Sequence, residues 1–367
     1  MQKRMGALGV VALGLVAFTA IASTGCGSNE DTTAASDPTG PAGVPAGGET
    51  SGGGNGDDTG PGSGGGGNDG DGAGTGSEPG PTPEQPRCPA YTEALPTNAS
   101  VAGVPFSRDT AKDFLLGALA LRYPVGKAVV EGGMSGNSVM GNCLDAFLTN
   151  KTSADAVLRG ASTTVHECGH FFDLGLSKGA TSSYVIRPDL KFSCESGDTT
   201  SRGGKTFARS EITKDAYASK RTPCGGGAKG CDSYATTYLT GQSGAQGYNS
   251  VLEEASQYVN SLATALAFQE QYAGSHASER DGILTFLWYI ERYLAMARTK
   301  YPDAYQLISE NECWRKLTLT IWDRGWFYLD ATKDKSTLGL DDAAIEALVK
   351  DPVLTAEIDA LRKLECE

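Results

Sequence analysis

Residues 27–87 contain 20 glycines in 61 positions, and nearly everything else there is Ser, Thr, Pro, Asn, Asp, Glu or Ala. A stretch of that composition has almost no apolar surface to bury, so it cannot offset the entropy of ordering its own backbone. Folding is therefore confined to residues 88–367, a head of 280 residues, enough for one large domain or two close-packed lobes. As a flexible coil the glycine-rich segment has a reach of about 40 Å. It carries ten acids and one base, Arg87, while the head has 34 acids and 28 bases, a net charge of −6. A mildly acidic head argues against nucleic acid as the partner.

The segment before the linker reads as an export signal. Lys3 and Arg4 precede an apolar run from Gly6 to Ala22, followed by Ser23-Thr24-Gly25-Cys26. Small residues ending in Cys resemble the lipobox of bacterial lipoproteins, although Ser23 stands where Leu is usual. The resemblance implies cleavage after residue 25 and lipid attachment to Cys26. An ordinary signal peptide or an uncleaved anchor is the alternative, but the run is short for a membrane span. Gly27 in place of Asp resembles the outer-membrane class. The expected organisation is a signal at 1–25, a lipidated Cys26 with a linker to 87, and a head at 88–367. The expected location is the cell envelope, as an outer-membrane lipoprotein or a secreted protein.

Eight of the nine cysteines lie in the head: Cys88, Cys143, Cys168, Cys194, Cys224, Cys231, Cys313 and Cys366. An even number in an exported chain points to disulfides. Cys224 and Cys231 bracket a short Gly-rich loop and suggest a local staple, whereas Cys88 and Cys366 are placed to tie the two ends together. Apolar spacing predicts helices over Asp109 to Leu121, Ser162 to Leu176, Ser250 to Phe268, Ser278 to Met296, Glu312 to Trp322 and Pro352 to Leu364. Tyr184-Val185-Ile186 and Leu190-Lys191-Phe192, flanking Pro188-Asp189, predict a hairpin or two short strands. Residues 195–205 and 221–247 read as loops. The expected class is α+β, predominantly helical, with a small β-sheet and disulfide staples.

The helix predicted from Ser162 contains His166-Glu167-Cys168-Gly169-His170. Two His four residues apart lie about 40° apart on one helix face, where both imidazoles can reach one tetrahedral cation. Glu167 falls about 100° round, placed to take a proton from water beside that cation. Only three His occur in the chain, and two are in this motif. Ser162 or Thr163 offers an N-cap, and Val165, Phe172 and Leu176 supply packing. The segment resembles the active-site helix of zincin metallopeptidases. That resemblance implies a zincin-like fold, one Zn²⁺, a peptide or protein substrate, and Glu167 as the general base of a zinc peptidase.

Cys168 lies about 200° from His166, on the opposite face of the helix, so a disulfide there is favoured over metal ligation, with Cys194 as the expected partner. The third ligand needs another element, because Asp173 and Leu176 stand where metzincins have Gly and His. Asn249 to Leu262 resembles the helix that supplies a Glu ligand in Glu-type zincins. Glu254 borders the apolar face of that helix, while Glu253 is nearly opposite it and forms a capping box with Ser250, so Glu254 is the expected ligand. Asp232 is the reserve ligand. Asp173 is a candidate to orient an imidazole, or simply a helix-end acid. His276 and Tyr248 are candidate oxyanion donors, with Tyr217, Tyr234 and Tyr238 also available. Gly132-Gly133-Met134-Ser135-Gly136-Asn137 faintly resembles an aminopeptidase substrate loop, but in the wrong register. The competing reading is a non-catalytic surface lipoprotein, a binding or structural module with a structural metal or none.

Overall fold

The computed structural model describes residues 88–135, 141–225 and 228–366. The signal, Cys26 and the linker lie outside the described residues. The chain runs through α1 (Ala111–Arg122), α2 (Pro124–Ser135), α3 (Cys143–Phe147), α4 (Ala154–Arg159) and α5 (Ala161–Leu176). A hairpin of β1 (Thr181–Arg187) and β2 (Leu190–Glu195) follows, then short α6 (Ala235–Tyr238) and α7 (Gly241–Gly244). The C-terminal half is α8 (Tyr248–Ala267), α9 (Glu279–Lys300), α10 (Pro302–Glu310), α11 (Glu312–Ala331), α12 (Asp342–Val349) and α13 (Pro352–Cys366). The head is thus mostly helical with one two-stranded sheet. Among the described residues no helix is long and apolar enough to cross a membrane.

The core is organised around α9. From Ile283 to Leu294 nearly every side chain is buried, including Trp288, Tyr289 and Tyr293, so this helix has no solvated face in its middle. Such a helix must be covered on all sides, and α8, α10, α11, α12 and α13 pack against it. Buried arginines join the connecting segments to this core. Arg292 pairs with Asp215 at 2.8 Å, Arg280 with Asp342 at 2.6 Å, and Arg324 on α11 with Glu93 near the head's N-terminus at 3.1 Å. Each guanidinium also donates to backbone carbonyls or neutral side chains, which buried cations require.

The motif helix α5 lies between α2 and α8. Its approach to α2 is close because α2 presents glycine. A Cβ on Gly133 would sit 2.3 Å from the Cys168 carbonyl oxygen, and one on Gly132 would meet the Phe172 ring at 2.3 Å. The segment with a faint likeness to a substrate loop is therefore, over Gly132 to Ser135, the end of a packing helix. The glycines that fit this interface also weaken the helical signal, so α2 was not expected from sequence. In the hairpin, Thr181 pairs with Glu195 and Tyr184 with Phe192, antiparallel, with an irregularity between Val185 and Arg187.

Four cysteine pairs lie at disulfide distance: Cys88–Cys366, Cys143–Cys168, Cys194–Cys313 and Cys224–Cys231. The end-to-end tie and the local staple are as expected. Cys168 is held from behind, as the helical wheel requires, but its partner is Cys143 on α3 and not Cys194. The hairpin turns Cys194 away from α5 and toward Cys313 at the start of α11.

Two capping expectations need correction. Helix α5 starts at Ala161 with Gly160 at its N-cap, which leaves Ser162 and Thr163 inside the first turn. Ser162 instead donates to Glu279 at 2.7 Å. Helix α8 starts at Tyr248, so Ser250 is not its N-cap and no capping box forms with Glu253. Residues 195–205 and 221–247 are not wholly irregular: they hold a 3₁₀ turn at Thr200–Arg202 and the short α6 and α7.

Candidate metal site

Three side chains from two helices converge. His166 and His170 point from α5 toward α8, where Glu254 faces them, and all three are buried. Glu254 Oε2 lies 3.7 Å from His166 Nε2 and 3.5 Å from His170 Nε2. Those distances are long for hydrogen bonds, and Glu254 Oε2 has no hydrogen-bond partner although it is shut off from solvent. Donors about 2.1 Å from a tetrahedral ion are about 3.4 Å apart, so the spacing matches three corners of a metal tetrahedron. The group can hold a metal ion.

The far nitrogens of both imidazoles are engaged. His166 Nδ1 is 3.0 Å from Ser261 Oγ, and His170 Nδ1 is 2.5 Å from Glu253 Oε1. With Nδ1–H donating to Glu253, the His170 lone pair sits on Nε2, the atom that faces Glu254. Ser261 falls on the same side of α8 as Glu254, because an offset of seven residues returns within about 20° of that face, whereas Glu253, about 100° round, reaches His170 Nδ1 from the flank.

Electrostatics show what this point demands. Burial alone would push the His170 pKa down, yet the Glu253 and Glu254 carboxylates, with Glu167 behind them, push it up to about 10. Burial also works against the Glu254 charge, and His170, His166 and Arg209 outweigh it, holding that carboxyl below its ordinary range. Arg209 is itself fully buried and, among the described residues, bonded to neutral groups, Ser243 and the Ser250 carbonyl. The centre is therefore acidic enough to call for a positive charge between the imidazoles and Glu254, supplied by protons or by a metal ion.

Glu167 is half-buried at the rim of this centre. On the same side the Tyr258 ring packs edge-on against His166, centroids 4.7 Å apart, and its hydroxyl meets that of Tyr238 at 2.8 Å. Both phenols have pKa values raised well above the ordinary range, chiefly by burial. For Tyr238 the Glu254 and Glu167 charges add to this, and for Tyr258 the neighbouring tyrosines and Glu254 do so. Tyr258 reaches this position because α9 has Gly282 beneath its ring, where a Cβ would come within 2.3 Å.

Several sequence expectations are corrected here. Glu253, assigned to a cap, is the carboxylate that orients His170. Asp173, a candidate to orient an imidazole, accepts from the Val185 amide at 2.7 Å and from Gln257 Nε2 at 2.9 Å. Asp232 is outside the converging group and accepts from the Tyr234 and Ala235 amides and the Tyr289 hydroxyl, a structural role that uses both its oxygens. Tyr248 is fully buried against α11, its hydroxyl 3.1 Å from Thr318 Oγ1, so it has no access to the centre. His276 is exposed in a turn and bonded to the Ser336 carbonyl. Tyr217 and Tyr234 bond to Asp351 and to the Ser278 carbonyl. Of the tyrosines named from sequence, Tyr238 is the one beside the site. Ser261 and Tyr258 were not expected, yet both lie at helical offsets from Glu254 that place them on its face.

No protein-family model matches the chain, and neither a curated protein nor a solved structure matches it significantly.

Proposed function

We propose that the head is a zinc-dependent peptidase of zincin type, working outside the cytoplasm. The observation that carries this reading is the convergence of His166 Nε2, His170 Nε2 and the orphaned Glu254 Oε2 on one buried point, with the half-buried Glu167 beside it. Two imidazoles and one carboxylate are a common catalytic donor set, and a structural zinc site would be closed by a fourth protein ligand. Among the described residues the group has three members, which supports a catalytic over a purely structural ion. Zinc, when bound, supplies Lewis acidity that makes water nucleophilic near neutral pH and polarises a carbonyl.

The chain's own residues do the rest. Glu253 and Ser261 hold the imidazole rings in orientation through their Nδ1 atoms. The Glu167 carboxylate accepts a proton from the attacking water and returns it to the leaving amine. The Tyr238–Tyr258 hydroxyl pair shares one hydrogen bond, so one O–H remains to donate to the oxygen on which negative charge develops. The even cysteine set and its pairing at disulfide distance support an oxidising compartment. The lipobox resemblance at Ser23 to Cys26 supports a lipid-anchored location in the cell envelope, with the linker as tether.

The test is bound metal followed by activity. Purified protein should carry about one zinc per chain, lost in His166→Ala. A peptide library should then be cleaved by the wild type and not by Glu167→Gln, which keeps its zinc. Peptide hydrolysis that persists undiminished in Glu167→Gln would refute the assigned role. A zinc-free wild type after reconstitution would leave a tethered binding module as the better account.

A further inference from the structure

We infer that Gln257 is a positioning residue that sets the spacing of the two ligand-bearing helices, and that Gly169 inside the motif is glycine to admit it. The inference rests on the metal reading above and concerns residues that reading does not use. Gln257 is fully buried on α8, one turn beyond Glu254. Its amide packs against α5 at Gly169, the residue before His170. A Cβ at Gly169 would stand 1.8 Å from Gln257 Oε1 and 2.5 Å from its Cδ. Contacts under 3.0 Å do not occur for real Cβ atoms, so any other residue at 169 forces the helices or the amide to yield by 1.2 Å or more.

The amide is not free to yield. Its Nε2 donates to Asp173 Oδ2 at 2.9 Å, one turn past His170, and its Oε1 accepts from Asn260 Nδ2 at 2.9 Å. Beyond these, Asp173 Oδ1 holds the Val185 amide of β1. Asn260 Oδ1 is held by Arg324 Nη1 at 2.9 Å, and Arg324 by Glu93. Gln257 is therefore held at both ends of its amide while it packs against Gly169, between His166 and His170 on α5. Ligand distances in metal sites tolerate only about 0.2 Å, so a helix shift several times larger is felt as lost affinity.

The experiment measures the zinc dissociation constant of the full chain by competition with a chelator, for wild type, Gly169→Ala, Gln257→Ala and the double variant. Near-UV circular dichroism and the thermal midpoint of the zinc-free proteins report whether each is folded. The expected result is weakening by about 10- to 100-fold in either single variant, the range seen when groups supporting metal ligands are removed. The double variant should bind no more weakly than Gln257→Ala, because the clash that Gly169→Ala creates has lost its partner. If Gly169→Ala does not fold, Gln257→Ala carries the test, since it removes atoms and creates no clash. Zinc affinity within threefold of wild type in folded Gln257→Ala overturns the inference and leaves the metal reading standing. A wild type that binds no zinc overturns both.

Discussion

Glu291, in the middle of α9, lends itself to a stability prediction independent of any catalytic role. It is fully buried, and neither carboxyl oxygen has a hydrogen-bond partner. Burial, followed by the nearby Asp351, Asp359 and Glu357 carboxylates, pushes its pKa up to about 10. In the unfolded chain the same group titrates near 4.3, so between these values the native state holds a proton that the unfolded state releases. Stability from this group is fully present below the unfolded pKa and is lost as pH rises toward the folded one. The slope is about 1.4 kcal/mol per pH unit within that window, hence a loss of about 4 kcal/mol between pH 5 and pH 8. Glu291→Gln keeps the shape and removes the proton. Urea unfolding of wild type and variant across pH 5 to 8 should give curves that nearly meet at pH 5, where the protonated carboxyl and the amide are both neutral and unpaired and carry a similar penalty of about 1–3 kcal/mol. By pH 8 they should diverge, with the variant the more stable. Parallel curves would refute the reasoning, because they would mean that Glu291 does not hold the proton.

Four further outcomes follow from the buried pairs, the staples and the acids. Glu93→Ala leaves the Arg324 guanidinium, 1 % exposed, without its carboxylate and should cost about 3–5 kcal/mol in urea unfolding. Replacing Cys143 and Cys168 together by Ala opens a loop of 25 residues and should cost about 3.5 kcal/mol, read as a lowered unfolding midpoint under non-reducing conditions. Glu254→Gln removes a charge from the converging group and should lower zinc occupancy with little change in the near-UV spectrum, whereas Asp232→Asn should leave occupancy unchanged and reduce stability through Tyr289.

The parts of the head with strong apolar periodicity could be read from sequence. The predicted spans of α1, α5, α8, α9 and α13 lie within a few residues of those observed, because each buries a continuous face. The α11 prediction ended at Trp322, nine residues short of Ala331, where Asp323, Arg324 and Gly325 interrupt the apolar pattern. Arg324 and Gly325 are nonetheless buried, the first by pairing with Glu93 and the second by packing near Leu287. Helix α2 stayed hidden for a related reason: its contact with α5 is made by glycines, which give no hydrophobic signal. Polar and glycine positions that are buried by tertiary partners cannot be recognised from a single chain's periodicity.

The same limit explains the one misassigned acid in the candidate site. Glu253 and Glu254 are adjacent, and the wheel argument assumed that only the residue nearer the apolar face could matter. The face of α8 that meets α5 is not the purely apolar one: it carries Glu253, Glu254, Gln257, Asn260 and Ser261, all engaged with α5 or with one another. A helix can bury such a polar stripe only if each group finds a partner, and here the partners are His166, His170 and Asp173 from the motif helix. The stripe and the motif are therefore complementary halves of one interface. Glu254 Oε2 is the atom in it without a hydrogen-bond donor, and together with the two imidazoles it forms the group that could hold a metal ion.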